Sequence, residues 1–261
     1  MTTEEVLRLL QRVAADVIEP RFRDLADEEI AEKNPGDYVT AADREAEEQL
    51  TTALQQAYPE AVVLGEEAYA DDEDLMRRYE AADHAFTVDP VDGTKNFVHG
   101  SPDHAVMLSE VVDGRTERAW VWQPQHGTSY VAERGHGLWR NGERLTRDPA
   151  AEPLRGTTSR RGWIGRRLGD LPPLELTWVC CGVDYPHLVE GDCDFIVYGK
   201  PKPWDHSPTS LLLTEAGGFV GDLEGDAYRP AMGQPFIVAA ADHETYERVR
   251  PLVAAYADRR R

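Results

Sequence analysis

"TVDPVDGTKNF", residues 87–97, sets two aspartates three positions apart around a proline, directly behind an apolar run. A Gly-Thr pair follows at once. Two readings account for such a stretch. It is a surface turn with polar dressing, or it is a place where carboxylates and backbone converge on a cation and a phosphate. Pro90 fixes φ and favours a tight turn that projects Asp89 and Asp92 toward one point. Gly93 permits close approach to the backbone, and free amides at the start of a following element can hold phosphate oxygens. The Thr94 hydroxyl is placed to orient a water.

Working outward, two more acidic residues stand at element ends rather than on solvated helix faces. Glu66 follows the apolar run "AVVLG" (61–65), and Asp205 lies between "KPW" and the helical "SPTSLLL". One such residue alone is ordinary, since loops after strands often carry acids. Four of them, each beside glycine, proline, an apolar strand or an aromatic residue, favour a site. Carboxylates and carbonyls are hard donors, suited to Mg²⁺, Mn²⁺ or Ca²⁺ rather than zinc. The spacing fits two cations about 3.5–4 Å apart that clamp a phosphate and activate water for in-line attack. Asp43, in "TAAD" (40–43), has two readings. It completes a capping box with Thr40, or it belongs to the site.

The remaining pattern is that of a folded α+β chain. Hydrophobic residues make up 41% and charged residues 29% of 261, enough for a sizeable core in one large domain or two joined halves. Helical spacing runs over residues 3–19 and from about Thr40 to Tyr58, with "NPGDYV" (34–39) as a turn between them. "AVVLG" and "HAFTVDPV" (84–91) are strands, separated by a short charged helix. Residues 105–147 form an antiparallel meander with hairpin turns at Asp113-Gly114 and Asn141-Gly142. A polar connection over 148–173 divides an N-terminal half, 1–150, from a C-terminal half, 151–261. In the second half "LELTWVCCG" (174–182), "CDFIVYG" and "PFIVAAA" are strands; helices fall near 184–190, over "SPTSLLLTEAGG" and at the C-terminus.

The formal net charge of −20 opposes binding to nucleic acid or an anionic membrane. It also repels an anionic substrate unless bound metal reverses the local sign. "MTTEEVLRLL" lacks the features of a signal peptide, and no apolar run approaches the ~20 residues that span a bilayer. Cys180, Cys181 and Cys193 have no metal-motif spacing and are expected as buried small hydrophobes in a reducing cytoplasm.

Taken together, "GEEA", "DPVDGTKNF" and "KPWDHSPTSLLLTEAGG" resemble the inositol monophosphatase family of Mg²⁺-dependent, lithium-sensitive phosphatases. "DYVTAAD" and "GHGLWRNGERL" match further family elements in the same order, and the similarity runs from about residue 3 to 250. The resemblance implies a layered α-β-α-β-α sandwich, usually a homodimer. It implies that Glu66, Asp89 and the Val91 carbonyl bind a first metal, and that Asp89, Asp92 and Asp205 bind a second. Glu66 and Thr94 would then position the nucleophilic water, and the Gly93 and Thr94 amides would bind phosphate. Asp43 would hold a third metal or its water, and Lys33 matches a basic position nearby.

The substrate side departs from the family pattern. Members acting on inositol phosphates often carry a Glu seven residues before the W-D aspartate, where this chain has Tyr198. Their R-x-x-G-[ST]-A strand is here "VCCGVD" (179–184), with Val179 in place of the Arg and Asp184 in place of a small residue. Asp184 either accepts sugar hydroxyls or caps the next helix. The implied activity is phosphomonoester hydrolysis of a small polyol or sugar phosphate, inositol 1-phosphate by default. Histidinol phosphate, fructose 1,6-bisphosphate and 3′-phosphoadenosine 5′-phosphate are the alternatives. A role in binding a macromolecule is the second class, since some bacterial relatives bind transcription machinery. His206 is expected at a helix start, bonded to backbone or water. "SRRGWIGRR" (159–167) is expected as a solvated connection, and Trp120, Trp122 and Trp139 as core or dimer interface.

Overall fold

Thr2 caps the first helix reciprocally with Glu5: its hydroxyl accepts from the Glu5 amide, and the Glu5 carboxylate accepts from the Thr2 amide. This helix, α1 (Thr3–Val13), buries Val6, Leu9, Leu10 and Val13. The chain then widens into a looser turn over Ala14–Ile18 and leaves the helix at Pro20, which has no amide to continue the ladder. The computed structural model describes residues 1–231 and 233–258.

The stretch 34–39, expected as a plain turn, belongs to a hairpin of β1 (Ile30–Asn34) and β2 (Asp37–Thr40) closed at Gly36, whose φ is +80°. Helix α2 (Ala41–Ala57) follows. After it come β3 (Val62–Gly65), α3 (Glu66–Asp71), α4 (Asp74–Glu80), β4 (His84–Asp92), α5 (Thr94–Val98) and β5 (Ala105–Val112). The meander continues through β6 (Arg115–Gln123), β7 (Thr128–Glu133), β8 (Gly137–Arg140) and β9 (Glu143–Leu145). These seven strands, β3 to β9, form one sheet in sequence order, antiparallel except for the parallel pair β3–β4.

A second sheet is ordered β11-β10-β12-β14-β13. It uses β10 (Gly156–Thr158), β11 (Glu175–Leu176), β12 (Phe195–Gly199), β13 (Phe219–Gly221) and β14 (Phe236–Ala240). Helices α6 (Cys181–Glu190) and α7 (Pro203–Glu215) lie between the sheets, and α8 (His243–Asp258) lies outside the second one.

Strand alternation explains the layering. On β5, Val106 and Leu108 face α1 and α2, while Ala105 and Met107 face α6 and α7. On β12, Ile196 and Tyr198 face those same helices, and Phe195 and Val197 face α8. The result is an α-β-α-β-α sandwich, the α+β class that the unequal mix of strands and helices indicates. The cluster between the sheets draws on both, from Ala105 to Ile237.

Two local expectations are corrected. "LELTWVCCG" is not a strand throughout: only Glu175–Leu176 pair, and Cys181 already opens α6. Val179 breaks the strand at φ +62°, a left-handed conformation that costs a β-branched residue of order 1–2 kcal/mol. The connection 148–173 is not simply polar, for it contributes inner strand β10 and buries Leu154, Trp163, Leu168 and Leu171. Glu66 follows β3 directly, at an element end as expected, and opens α3. Of the three tryptophans, Trp120 is buried, Trp122 half-buried and Trp139 exposed.

Candidate active site

Parallel pairing of β3 with β4 aligns Gly65 with Val88, which brings Glu66 alongside Asp89. Asp205, in the first turn of α7, arrives from the second half of the chain. One carboxylate oxygen from each of Glu66, Asp89 and Asp205 lies within 4.8 Å of the others. Asp89 is 1% exposed, and its Oδ1 has no hydrogen-bond partner among the described residues. Burial first, then the charges of Glu66, Asp92 and Asp205, push its carboxyl well above the usual range. Asp205 is shifted upward in the same way, by burial and then by Asp92 and Glu66.

Asp92 closes β4 and lines the same cavity, of about 210 Å³. Its Oδ2 turns to the start of α6, accepting from the Gly182 amide at 2.5 Å and from the Cys180 thiol at 2.9 Å. Burial pushes Asp92 up to about 6 against these bonds, which lower it. The turn at Val179 therefore points the first amides of α6 at Asp92. Cys180 is buried, as expected of a small hydrophobe, but half-buried Cys181 reaches the site: its Sγ lies within 4.8 Å of ligand atoms of Asp205 and His206. Burial holds that thiol protonated, a weak donor to a metal.

Gly93 is the hinge between β4 and α5. Its φ is +81°, and a Cβ there would sit 3.0 Å from both the Asp103 carbonyl and Cys180 Cβ. Thr94 is the first residue of α5, so its amide has no acceptor inside the helix. Its Oγ1 lies 3.0 Å from the Val91 carbonyl and 3.0 Å from Asp43 Oδ1. Asp43 thus combines its two readings: Oδ2 accepts from the Thr40 amide at 2.8 Å, completing the cap, while Oδ1 reaches Thr94. Burial raises Asp43 to about 7, outweighing the bonds from Thr40.

Lys33 Nζ bonds Glu66 Oε1 and Glu67 Oε1, each at 2.7 Å. Burial alone would depress this ammonium, but the two glutamates more than offset it and hold its pKa above the usual lysine value. Three participants escape a reading of the sequence. Glu47, 5% exposed, accepts from the Glu67 and Ala68 amides at 2.8 Å and so caps α3. Lys95 and Tyr38 line the cavity. The signal for Glu47 is its place on the inward stripe Asp43, Glu47, Leu50, Leu54 of α2, where a carboxylate needs a partner.

Asp184 does not line the cavity. It is 1% exposed in the first turn of α6 and accepts from the Tyr198 hydroxyl at 3.0 Å. Burial, then Asp92, raises it to about 8. His206 is fully buried rather than bonded to backbone or water. Its Nδ1 lies 3.1 Å from the Tyr185 hydroxyl, and burial depresses it to about 3.

An acidic cluster with an orphaned buried oxygen fits a hard divalent cation, since Glu66, Asp89 and Asp205 offer oxygen donors whose one ion pair among the described residues is Lys33 on Glu66. The fold and the acidic cluster together suit metal-assisted chemistry on a phosphate ester. Comparison with known proteins agrees. The chain belongs to the inositol monophosphatase family, whose sequence profile matches residues 2–258. It is 31% identical over 240 residues to Nus factor SuhB of Pseudomonas aeruginosa, covering 85% of this chain and 87% of that one. It is 32% identical over 216 residues to the inositol-1-monophosphatase of Rhizobium meliloti, covering 78% and 79%. Among solved structures, Thermotoga maritima IMPase superposes with a TM-score of 0.81 at 23% identity, covering 98% of each chain. An IMPase/NADP phosphatase complexed with Mg²⁺ and phosphate superposes at 0.79, also at 23% identity, covering 98% and 97%.

Proposed function

We propose that the chain hydrolyses the phosphate monoester of a small polyol or sugar with the help of Mg²⁺, inositol 1-phosphate being the default substrate. The observation that carries this reading is the convergence of Glu66, Asp89 and Asp205 within 4.8 Å around a partnerless Asp89 oxygen. Glu66, Asp89 and the Val91 carbonyl would hold one ion, and Asp89, Asp92 and Asp205 a second; Asp43 belongs with a third or its water. Such ions supply Lewis-acid stabilisation of phosphoryl charge and a water acidic enough to attack near neutral pH.

The chain's own residues do the rest. Thr94 Oγ1, shared between Val91 and Asp43, is positioned to orient the attacking water, and Glu66 to take its proton. The Thr94 and Gly93 amides, at the start of α5, receive phosphate oxygens. Lys33 neutralises Glu66 and Glu67 while no other cation does.

The substrate's alcohol is the less constrained part. Tyr198 is 3% exposed and engaged with Asp184, so this pair is a poor reader of ring hydroxyls. Histidinol phosphate, fructose 1,6-bisphosphate and 3′-phosphoadenosine 5′-phosphate stay as alternatives. Exposed Ile164, Leu176 and Val179 lie at or near the β11 edge and support a homodimer through that edge. Three free cysteines suit a reducing cytoplasm, and no described helix is long and apolar enough to cross a membrane. A macromolecule-binding role is the second reading, favoured by the likeness to a protein named Nus factor SuhB. The −20 charge argues that such a partner would be protein rather than nucleic acid.

The test is phosphate release from a panel of inositol, sugar, histidinol and nucleotide phosphates, with and without Mg²⁺ and with added Li⁺. Mg²⁺-dependent, Li⁺-inhibited turnover of one compound is the expected result. No turnover of any compound by folded protein would discard the hydrolase reading for this chain.

A further inference from the structure

A second cavity, of about 430 Å³, opens at the other end of α7, between the β5–β6 turn, Arg134 and edge strand β13. β4 runs toward the acidic cluster and β5 runs back, so the β5–β6 turn lies at the opposite end of the sheet from the cluster. Ser210 and Thr214 of α7 line this cavity, five and nine residues beyond Asp205. At about 1.5 Å per residue, that places them roughly 8–14 Å along the helix from the cluster.

Three arginines, Arg115, Arg134 and Arg229, surround the opening in a chain of net charge −20, and Asp113 is the single carboxylate on the wall. Arg134 is fixed: its Nε and Nη2 donate to the Thr116 carbonyl at 2.9 and 2.6 Å, and Glu117 lies 3.2 Å away. Arg115 and Arg229 have no ion-pair partner among the described residues. At the floor, Ser210 is 6% exposed, and its hydroxyl lies beside the Tyr185 phenol, which also meets His206 Nδ1 at 3.1 Å. Phe219 and Tyr228 supply apolar wall beside the cationic rim.

We propose that this cavity is a second anion site, separate from the acidic cluster, that takes a small organic phosphate. The phosphate meets the guanidinium groups of Arg115 and Arg229, and the apolar body lies against Phe219 and Tyr228. Guanidinium forks match phosphate geometry, and the volume falls in the range of small-ligand sites, about 300–1,000 Å³.

The two sites are separable because the acidic cluster repels phosphate when no metal is bound. Full-length protein in chelator is titrated calorimetrically with inorganic phosphate and with phenyl phosphate, at low salt so that exposed charges are not screened. Saturable binding of both is expected, tighter for phenyl phosphate. Arg115→Gln/Arg229→Gln should weaken both at least tenfold with an unchanged melting temperature and unchanged Mg²⁺-supported turnover. Asp92→Asn should leave the titration as it was. Absence of saturable binding to the wild type overturns the proposal, as does binding that survives the arginine changes or is altered by Asp92→Asn.

Discussion

A single methyl group at Gly65 should uncouple the acidic cluster from its scaffold. A Cβ at this position would lie 2.2 Å from Glu47 Cδ and Oε1 and 2.6 Å from Oε2. The backbone there is in ordinary extended geometry, so the effect is purely one of crowding. Glu47 is buried, and both its oxygens are committed to the Glu67 and Ala68 amides at 2.8 Å. Gly65→Ala therefore pushes the carboxyl off the first turn of α3, where Glu66 is the first residue. Loss of a helix N-cap costs about 0.5–2 kcal/mol, and a buried carboxyl left without donors adds about 1–3 kcal/mol. A total of roughly 2–4 kcal/mol lowers the melting temperature of a chain this size by about 4–16 °C. Glu47→Ala removes the same acceptor and also vacates the space the methyl needs. The double variant should then melt close to Glu47→Ala alone, so the coupling in the cycle equals the whole Gly65→Ala loss, roughly 2–4 kcal/mol. Thermal melts of the four proteins decide it. A Gly65→Ala protein that melts with the wild type, or single losses that simply add, would refute the reasoning.

Asp92→Asn and Asp205→Asn are each expected to lower turnover about 100-fold or more, a loss of about 2.7 kcal/mol of transition-state stabilisation. Without metal each variant should melt no lower than metal-free wild type, because one member of a repelling buried cluster has been neutralised. Metal-free wild type should also lose stability as pH rises. Asp43 and Glu47 reach about 7 and Asp184 about 8 in the folded chain, above the unfolded value of about 4. Folding therefore takes up protons, and melts in chelator should be highest near pH 5 and fall toward pH 8; a flat or rising profile contradicts those shifts. Tyr198→Phe should lower the melting temperature by removing the hydroxyl that donates to buried Asp184, at a cost of about 1–3 kcal/mol, and an unchanged melt would show that this bond carries no weight.

Much of the fold is legible because periodicity reports burial. α2 announces itself by its Leu50–Leu54 stripe and Thr40 cap, and the meander by its Asp-Gly and Asn-Gly turns. Where local pattern and tertiary demand part, the sequence misleads. "LELTWVCCG" reads as a strand because its residues are β-formers, yet the Asp92 carboxylate draws the Cys181–Gly182 backbone into a helix start. In the site, Glu66, Asp89 and Asp205 stand out because each occupies an element end beside glycine, proline or tryptophan. Glu47 does not, because its role depends on α3 lying across α2, a contact that no local spacing encodes. Asp184 and Tyr198 are legible as departures from a pattern, but only packing shows that they answer each other across 14 residues.

The two cavities confront an anion in opposite ways, and the charge of the chain explains why. Around the acidic cluster the basic residues are few: Lys33 is tied to Glu66 and Glu67, and Lys95 stands on the wall. A phosphate ester approaching there meets carboxylates that burial first, and then their mutual repulsion, hold far above their usual range. Affinity for phosphate at that end is therefore conditional on cations, which the same repulsion recruits. At the other end of α7 the arginines supply positive charge permanently, so anion binding needs no metal and is limited by salt alone. On the proposed reading, one helix joins a site that divalent cations would switch on to one that needs none, with Asp205 at one end of α7 and Ser210 and Thr214 toward the other.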